Sequence, residues 1–321
     1  MLNYQDAKKV LLIGAAGGLA QITAGLLSKE HPHLKIIGVD SRPIDDIPNR
    51  PQVKIKRINY TRGNFEKLFR DHKFDIVFHL GRLSHENIGD TSSLAHRLDL
   101  NVMGTSRILD LALKFKIKKL VLLSTFHVYG ALSDNPVFIR EDHPLRASIK
   151  YPELRDVTEM DQIATNWMWK NQDQVSTIVL RPCNIVGPQI HNAITRYLRT
   201  SYAPVPIDYN PMFQFIHEFD MAHVLIQSVD QVPTGIYNVA PDESISLKDA
   251  RDTVGQKNLP VPMLALAPAA HLVKRLWSFP DYLLDYVRFS CIISSSALGK
   301  HLSRDKFRFS TKETLELLKL D

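Results

Sequence analysis

The chain has 321 residues, 44% of them hydrophobic and 23% charged, with a formal net charge of +6. That balance is too apolar and too weakly charged for a disordered chain, and it suffices for one large core or two modest ones. No run approaches the ~20 consecutive apolar residues that a bilayer span needs, and the polar start from Met1 to Lys9 is unlike an export signal, so a cytoplasmic protein is expected.

Two cysteines, Cys183 and Cys291, can build neither a disulfide framework nor a typical structural zinc site, and no metal-ligand constellation is legible. The basic surplus would suit an anionic partner. Its densest cluster, however, Lys114, Lys116, Lys118 and Lys119, falls where a helix should end, and cations there complement the helix dipole. No nucleic-acid motif accompanies it, so no nucleic-acid partner is expected.

In chain order, short apolar runs at Val10 to Ile13, Ile36 to Val39, Val53 to Ile58, Ile76 to Leu80, Leu120 to Leu123 and Ile178 to Leu180 read as parallel strands. Between them Gly18 to Lys29, Asn64 to Asp71, Ser92 to Phe115 and Glu153 to Lys170 carry apolar residues at three- and four-residue spacing and read as helices. Such alternation predicts an α/β fold, a Rossmann-type doubly wound parallel sheet. After Arg181 frequent prolines break the rhythm, which predicts a smaller, less regular C-terminal lobe, the expected substrate-binding lobe of the fold. The expected division is residues 1–182 and 183–321, with exchange of a strand or helix between them. Amphipathic helices are expected between Pro260 and Ser295. Their apolar faces suit a lobe core better than a membrane surface, although Trp277 and Phe279 lie beside basic residues.

The first strand runs into Gly14-Ala-Ala-Gly17-Gly18-Leu19-Ala20, with a helix beginning inside the segment. Glycines there permit a tight turn and close backbone approach to a pyrophosphate, whose charge the helix amides stabilise. Asp40 closes the second strand a little over twenty residues beyond the glycines. A carboxylate there accepts ribose hydroxyls and repels a 2′-phosphate, so NAD is expected over NADP, with Arg42 keeping the alternative open.

These features, and others along the chain, resemble the extended short-chain dehydrogenase/reductases, the group of NAD-dependent epimerases and dehydratases. The glycine spacing matches with Ala20 in the last place, and Phe78-His79-Leu80-Gly81, Asn101-Val102-Met103-Gly104-Thr105 and Leu122-Leu123-Ser124-Thr125-Phe126-His127-Val128-Tyr129-Gly130 resemble further blocks. So do Leu180-Arg181-Pro182-Cys183-Asn184-Ile185-Val186-Gly187-Pro188, the segment from Phe215 to Ala222, and Gly235-Ile236-Tyr237-Asn238-Val239. The resemblance runs from about residue 8 to about residue 250 and implies cofactor contacts from Gly14, Gly17, Gly18, Leu19, Asp40, Ser41, Arg42, Asn59, Tyr60, Leu80, Gly81, Arg82, Asn101, Ser124, Tyr151, Arg155 and Pro182. Asn59 stands where the family usually has Asp, and Arg82 where it usually has a small residue.

In the family a Tyr acts as acid or base, a Lys four residues on depresses its pKa, and a Ser or Thr binds the same substrate oxygen. Transferred residue by residue, these roles fall on Tyr151, on Arg155 in the place of the Lys, and on Thr125, with Glu159 supporting the register. Arg keeps the charge but places it differently from an ammonium. Ser84, His85, His127 and Asn184 are expected near the substrate. The implied function is hydride transfer at a secondary alcohol of a nucleotide sugar or of a lipophilic, steroid-like molecule. The alternative is an NAD-binding regulatory protein that lost the Tyr-Lys couple. The long helices imply a homodimer.

Overall fold

The computed structural model describes residues 4–44, 51–81, 91–264, 280–303 and 307–319. The apolar runs become seven parallel strands: β1 (Lys9–Ile13), β2 (Lys35–Asp40), β3 (Val53–Arg57), β4 (Ile76–His79), β5 (Lys119–Leu123), β6 (Ser176–Pro182) and a later one at Gly235–Val239. They are ordered 3-2-1-4-5-6, with the late strand last beside β6. In β1 and β4 nearly every residue is buried, as both faces of a parallel sheet must be. β3 stands at the edge and alternates partly exposed with exposed residues.

Successive side chains of one strand serve opposite layers. Val10 and Leu12 join one apolar cluster and Leu11 and Ile13 the other. The first layer contains α1 (Gly18–Glu30), and the second contains α2 (Arg62–His72), α4 (Gly104–Lys114) and α6 (Arg155–Asn171). Between α2 and α4 lies α3 (Thr91–Arg97), and α5 (Ala147–Lys150) precedes α6. The helix expected over Ser92 to Phe115 is not uniform, because Leu98–Met103 forms a π-helical turn between α3 and α4 that brings Leu100 and Asn101 to the crevice above the sheet. The helix expected from Glu153 starts instead as a 3-10 turn at Pro152–Leu154 and becomes α-helical at Arg155.

The second half of the chain adds β7 (Asn184–Val186), α7 (Ala193–Arg199), β8 (Ala203–Pro206), β9 (Met212–Phe213), β10 (Phe215–His217), α8 (Glu218–Gln231), β11 (Gly235–Val239, the late strand), β12 (Ile245–Ser246), α9 (Leu247–Val254), β13 (Asn258–Val261) and α10 (Asp281–Arg288). Short pairs β7·β10, β9·β12 and β8·β13 build the lobe. α8 packs on α1 and β11 on β6, so the second half of the chain also completes the central layers. The basic cluster after α4 disperses. Lys114 pairs with Glu66 and Lys118 with Asp75, while Lys119 begins β5 and donates from a buried ammonium to the Val232 carbonyl at 2.8 Å. Among the described residues no helix is long and apolar enough to cross a membrane.

His79, at the end of β4, is buried with Nε2 2.8 Å from the Thr105 hydroxyl, and burial pushes its imidazole down to about 4. An unfolded chain takes up this proton near pH 6.5, so folding stability falls as the pH drops from there towards 4. At pH 5 the loss from His79 should be about 2 kcal/mol relative to pH 7.5. Urea unfolding at the two pH values should show it, with a smaller loss in His79→Gln; equal slopes for both proteins would refute the assignment.

Candidate cofactor and substrate cleft

The strand order reverses between β1 and β4, and a crevice opens at the carboxyl ends of the strands where connections leave in opposite directions. It encloses about 610 Å³ between the sheet and the segments 184–196 and 280–283.

Its floor is the glycine turn. Gly14 has a φ of +90°, and a Cβ there would strike the backbone of Gly81, so the ends of β1 and β4 touch only because both residues are glycine. Gly17 caps α1 without any side-chain acceptor, which leaves the first amides of the helix for an anion. A Cβ on Gly18 would collide with the backbone of Gln189, which reaches over from the second lobe.

Asp40 ends β2 almost fully buried beside this turn. Its carboxylate accepts the Ala16 amide at 3.1 Å and the Arg42 amide at 2.9 Å, and it meets the Arg42 guanidinium at 3.2 and 3.3 Å. The carboxylate is therefore oriented before any ligand arrives. Arg42 is mostly exposed, and its charge is partly satisfied by Asp40. A bare glycine turn, free helix amides and a fixed acidic group at the neighbouring strand end fit an adenine dinucleotide with an unmodified ribose. The uncommitted amides of the first turn of α1, at Gly18 and Leu19, would hold its pyrophosphate and Asp40 its ribose; when bound, NAD supplies a hydride acceptor.

The middle of the cleft is the end of β5. Ser124 donates to the Asp161 carboxylate at 2.5 Å, and Arg181 of β6 grips that carboxylate at 2.9 and 2.6 Å, all deeply buried. Arg181 also donates to the Tyr129 hydroxyl at 2.9 Å, and Tyr129 in turn donates to Asn238 of β11 at 2.8 Å. Burial is the main cause pushing the Tyr129 phenol up to about 12, so it remains a donor. Thr125 caps the 3-10 turn Phe126–Tyr129 by accepting the His127 amide at 3.3 Å.

Of the residues expected from sequence, Gly17, Gly18, Leu19, Asp40, Ser41, Arg42, Tyr60, Gly81, Asn101, Ser124, Thr125, His127, Pro182 and Asn184 line the cleft. Gly14 and Leu80 are not in the lining and support it from behind, and Asn59 is exposed with its carbonyl bonded to the Asn64 side chain. Arg82, Ser84, His85, Trp277 and Phe279 lie outside the described residues.

Tyr151 and Arg155 are not brought to the cleft. The Tyr151 hydroxyl is buried 2.9 Å from the Ala131 carbonyl and 2.9 Å from the Asp285 carboxylate of α10, and Asp285 is held by Lys150 at 2.9 Å. Burial first, then the Asp285 charge, push the phenol far above its ordinary range. Arg155 points outward and pairs with Glu159 at 2.6 Å. The expected cation is thus beside a carboxylate on the surface and not beside the phenol.

Sequence reasoning missed the far wall: Gln189, His191, Asn192 and Arg196 on one side and Tyr282 and Leu283 of α10 on the other. The signal for the first group was its position directly after Gly187-Pro188, with Asn192 capping α7 through the Thr195 amide at 2.8 Å. Nothing local marks Tyr282 as a cleft residue. Asn184 lines the cleft while donating to the Gln214 carbonyl at 3.0 Å.

Known proteins bear on this cleft. The model of the NAD dependent epimerase/dehydratase family matches residues 10–240, and the chain belongs to that family. The family's cofactor, NAD, is the one that the glycine turn and Asp40 fit. An uncharacterised protein of Mycobacterium tuberculosis is 25% identical over 262 residues, covering 80% of this chain and 69% of its own length. The human dTDP-D-glucose 4,6-dehydratase is 25% identical over 190 residues, 57% of this chain and 52% of its own. In fold, the chain is similar to the dTDP-glucose 4,6-dehydratase of Bacillus anthracis in complex with NAD (TM-score 0.75, 18% identity, 98% and 96% of the two chains). It is also similar to a UDP-glucose 4-epimerase of Thermotoga maritima with UDP-glucose (TM-score 0.74, 16% identity, 97% of each chain).

Asp40→Ala should weaken NAD⁺ binding by about tenfold or more and erase the preference over NADP⁺, because charged hydrogen bonds to the ribose are lost. Calorimetry with both nucleotides measures this, and an unchanged ratio would refute it. Asp161→Ala strands the buried Arg181 charge and should cost about 3–5 kcal/mol in denaturant unfolding; a loss under 1 kcal/mol would show that the pair is replaceable.

Proposed function

We propose that the chain is an NAD-dependent enzyme that withdraws hydride from a secondary alcohol of a nucleotide sugar, the neighbouring Thr125 hydroxyl binding the reacting oxygen. The observation that most supports this is the continuity of one cleft. It carries the glycine turn and Asp40 at one end, Ser124 and Thr125 in the middle, and Asn184, His191, Asn192 and Arg196 at the other. A guanidinium and amides suit phosphate and sugar hydroxyls. They favour a nucleotide sugar over a lipophilic alcohol or a membrane-surface role. Two copies would pair through the helical faces that carry the half-exposed Met103 and Trp169, in the cytoplasm.

The engagement of Tyr151 with Asp285, and of Arg155 with Glu159, favours a second reading, an NAD-binding regulatory protein. NAD⁺-saturated protein should convert UDP-glucose or dTDP-glucose to a product seen by chromatography and NMR. Protein that binds NAD⁺ but leaves both sugars intact would overturn hydride transfer to them and favour the regulatory reading.

A further inference from the structure

The nucleotide-sugar reading needs a group in the cleft to take a hydroxyl proton, and Tyr151 is committed elsewhere. A phenol has one hydrogen, and both of its neighbours at 2.9 Å, the Ala131 carbonyl and the Asp285 carboxylate, are acceptors. The Lys150 ammonium, 5.3 Å from the centre of the Tyr151 ring, is engaged by the same Asp285 carboxylate at 2.9 Å. Removing the phenolic proton would leave an oxyanion facing two electron-rich oxygens, so the site opposes the role of a base.

His127 is placed differently. It follows Thr125 by two residues at the carboxyl end of β5, is half-buried, and lines the cleft together with Ser124 and Thr125. Its backbone is pinned on both sides: the amide donates to the Thr125 hydroxyl at 3.3 Å, and the carbonyl accepts from the Tyr286 hydroxyl at 3.4 Å. Its ring is packed among three aromatics, with centroids 4.2 Å from Phe126, 5.4 Å from Tyr282 and 4.8 Å from Tyr286, the last two edge-on. An imidazole so packed keeps one orientation, as a proton-transferring group requires.

We propose that His127, in the place of Tyr151, is the catalytic acid/base of this chain, acting on the substrate hydroxyl that Thr125 binds. In the forward step the substrate O–H bond breaks and its proton passes to an imidazole nitrogen. The carbon–oxygen double bond forms, and the hydrogen on that carbon leaves with its electron pair to NAD⁺, which is reduced to NADH. The proton returns when the carbonyl is reduced again. α10 then has two roles in the same turn, since Asp285 holds Tyr151 out of the reaction while Tyr282 and Tyr286 hold His127 in it. The proposal rests on the nucleotide-sugar reading.

The test uses full-length protein saturated with NAD⁺, with UDP-glucose and dTDP-glucose as probes. Each sugar's binding is measured by calorimetry and its conversion by NMR. Carbethoxylation of His127 by diethyl pyrocarbonate is followed by peptide mass spectrometry, with the exposed His301 as internal control. A bound sugar should slow modification at His127 by about fivefold or more and leave His301 unchanged. His127→Gln should lower kcat about 100-fold or more with KM and sugar affinity within about threefold, whereas Tyr151→Phe should keep kcat within about threefold. Wild-type protein that converts a sugar while His127 stays unprotected, or while His127→Gln remains active and Tyr151→Phe or His191→Gln does not, overturns the His127 assignment alone. Wild-type protein that binds or converts neither sugar overturns the nucleotide-sugar reading and this proposal with it.

Discussion

The buried ion pair between Arg181 and Asp161 is the contact on which the active face depends. It joins β6 to α6, and through Ser124, Tyr129 and Asn238 it reaches the end of β5, the turn after it and β11. Charges taken this far from water are tolerable only when every partner is in place. A network of this kind therefore gives the strand ends one arrangement. The residues at the middle of the cleft inherit their positions from it.

The same dependence on distant partners explains the fate of Tyr151. Its register with Thr125 and Glu159 is what the family pattern implies, yet a side chain's chemistry is set by what surrounds it and not by its interval from a neighbour. α10, which lies about 130 residues further along the chain, supplies a carboxylate to the phenol, and the helix start pairs Arg155 with Glu159. Both changes oppose phenolate formation. The glycine turn and Asp40 show no such disturbance, because both lie in the one βαβ unit formed by β1, α1 and β2.

This contrast also marks how much was legible beforehand. The strands from β1 to β6 follow from short apolar runs, because a parallel strand is buried on both faces, and their helices follow from apolar residues at three- and four-residue spacing. Gly14, Gly18 and Asp40 were legible for the same local reason: a turn, a helix start and a strand end lie within one βαβ unit. The π-helical turn at Leu98–Met103 was not, because apolar spacing does not distinguish it from the α-helix on either side. Nor was the second wall. Gln189, Arg196 and Tyr282 meet only when the lobe folds back over the sheet.

The sequence by itself determined the family, the Rossmann sheet and the acidic end of β2 beside the glycine turn, because those depend on short-range patterns of burial and backbone freedom. Tertiary structure decided which polar side chains share the cleft and which are withdrawn from it. Burial and the charge of Asp285 push the Tyr151 phenol far above its ordinary range, while Tyr282 and Tyr286 of the same helix pack edge-on with His127 at the cleft. Those effects act through space between residues far apart in the chain, and no spacing rule encodes them.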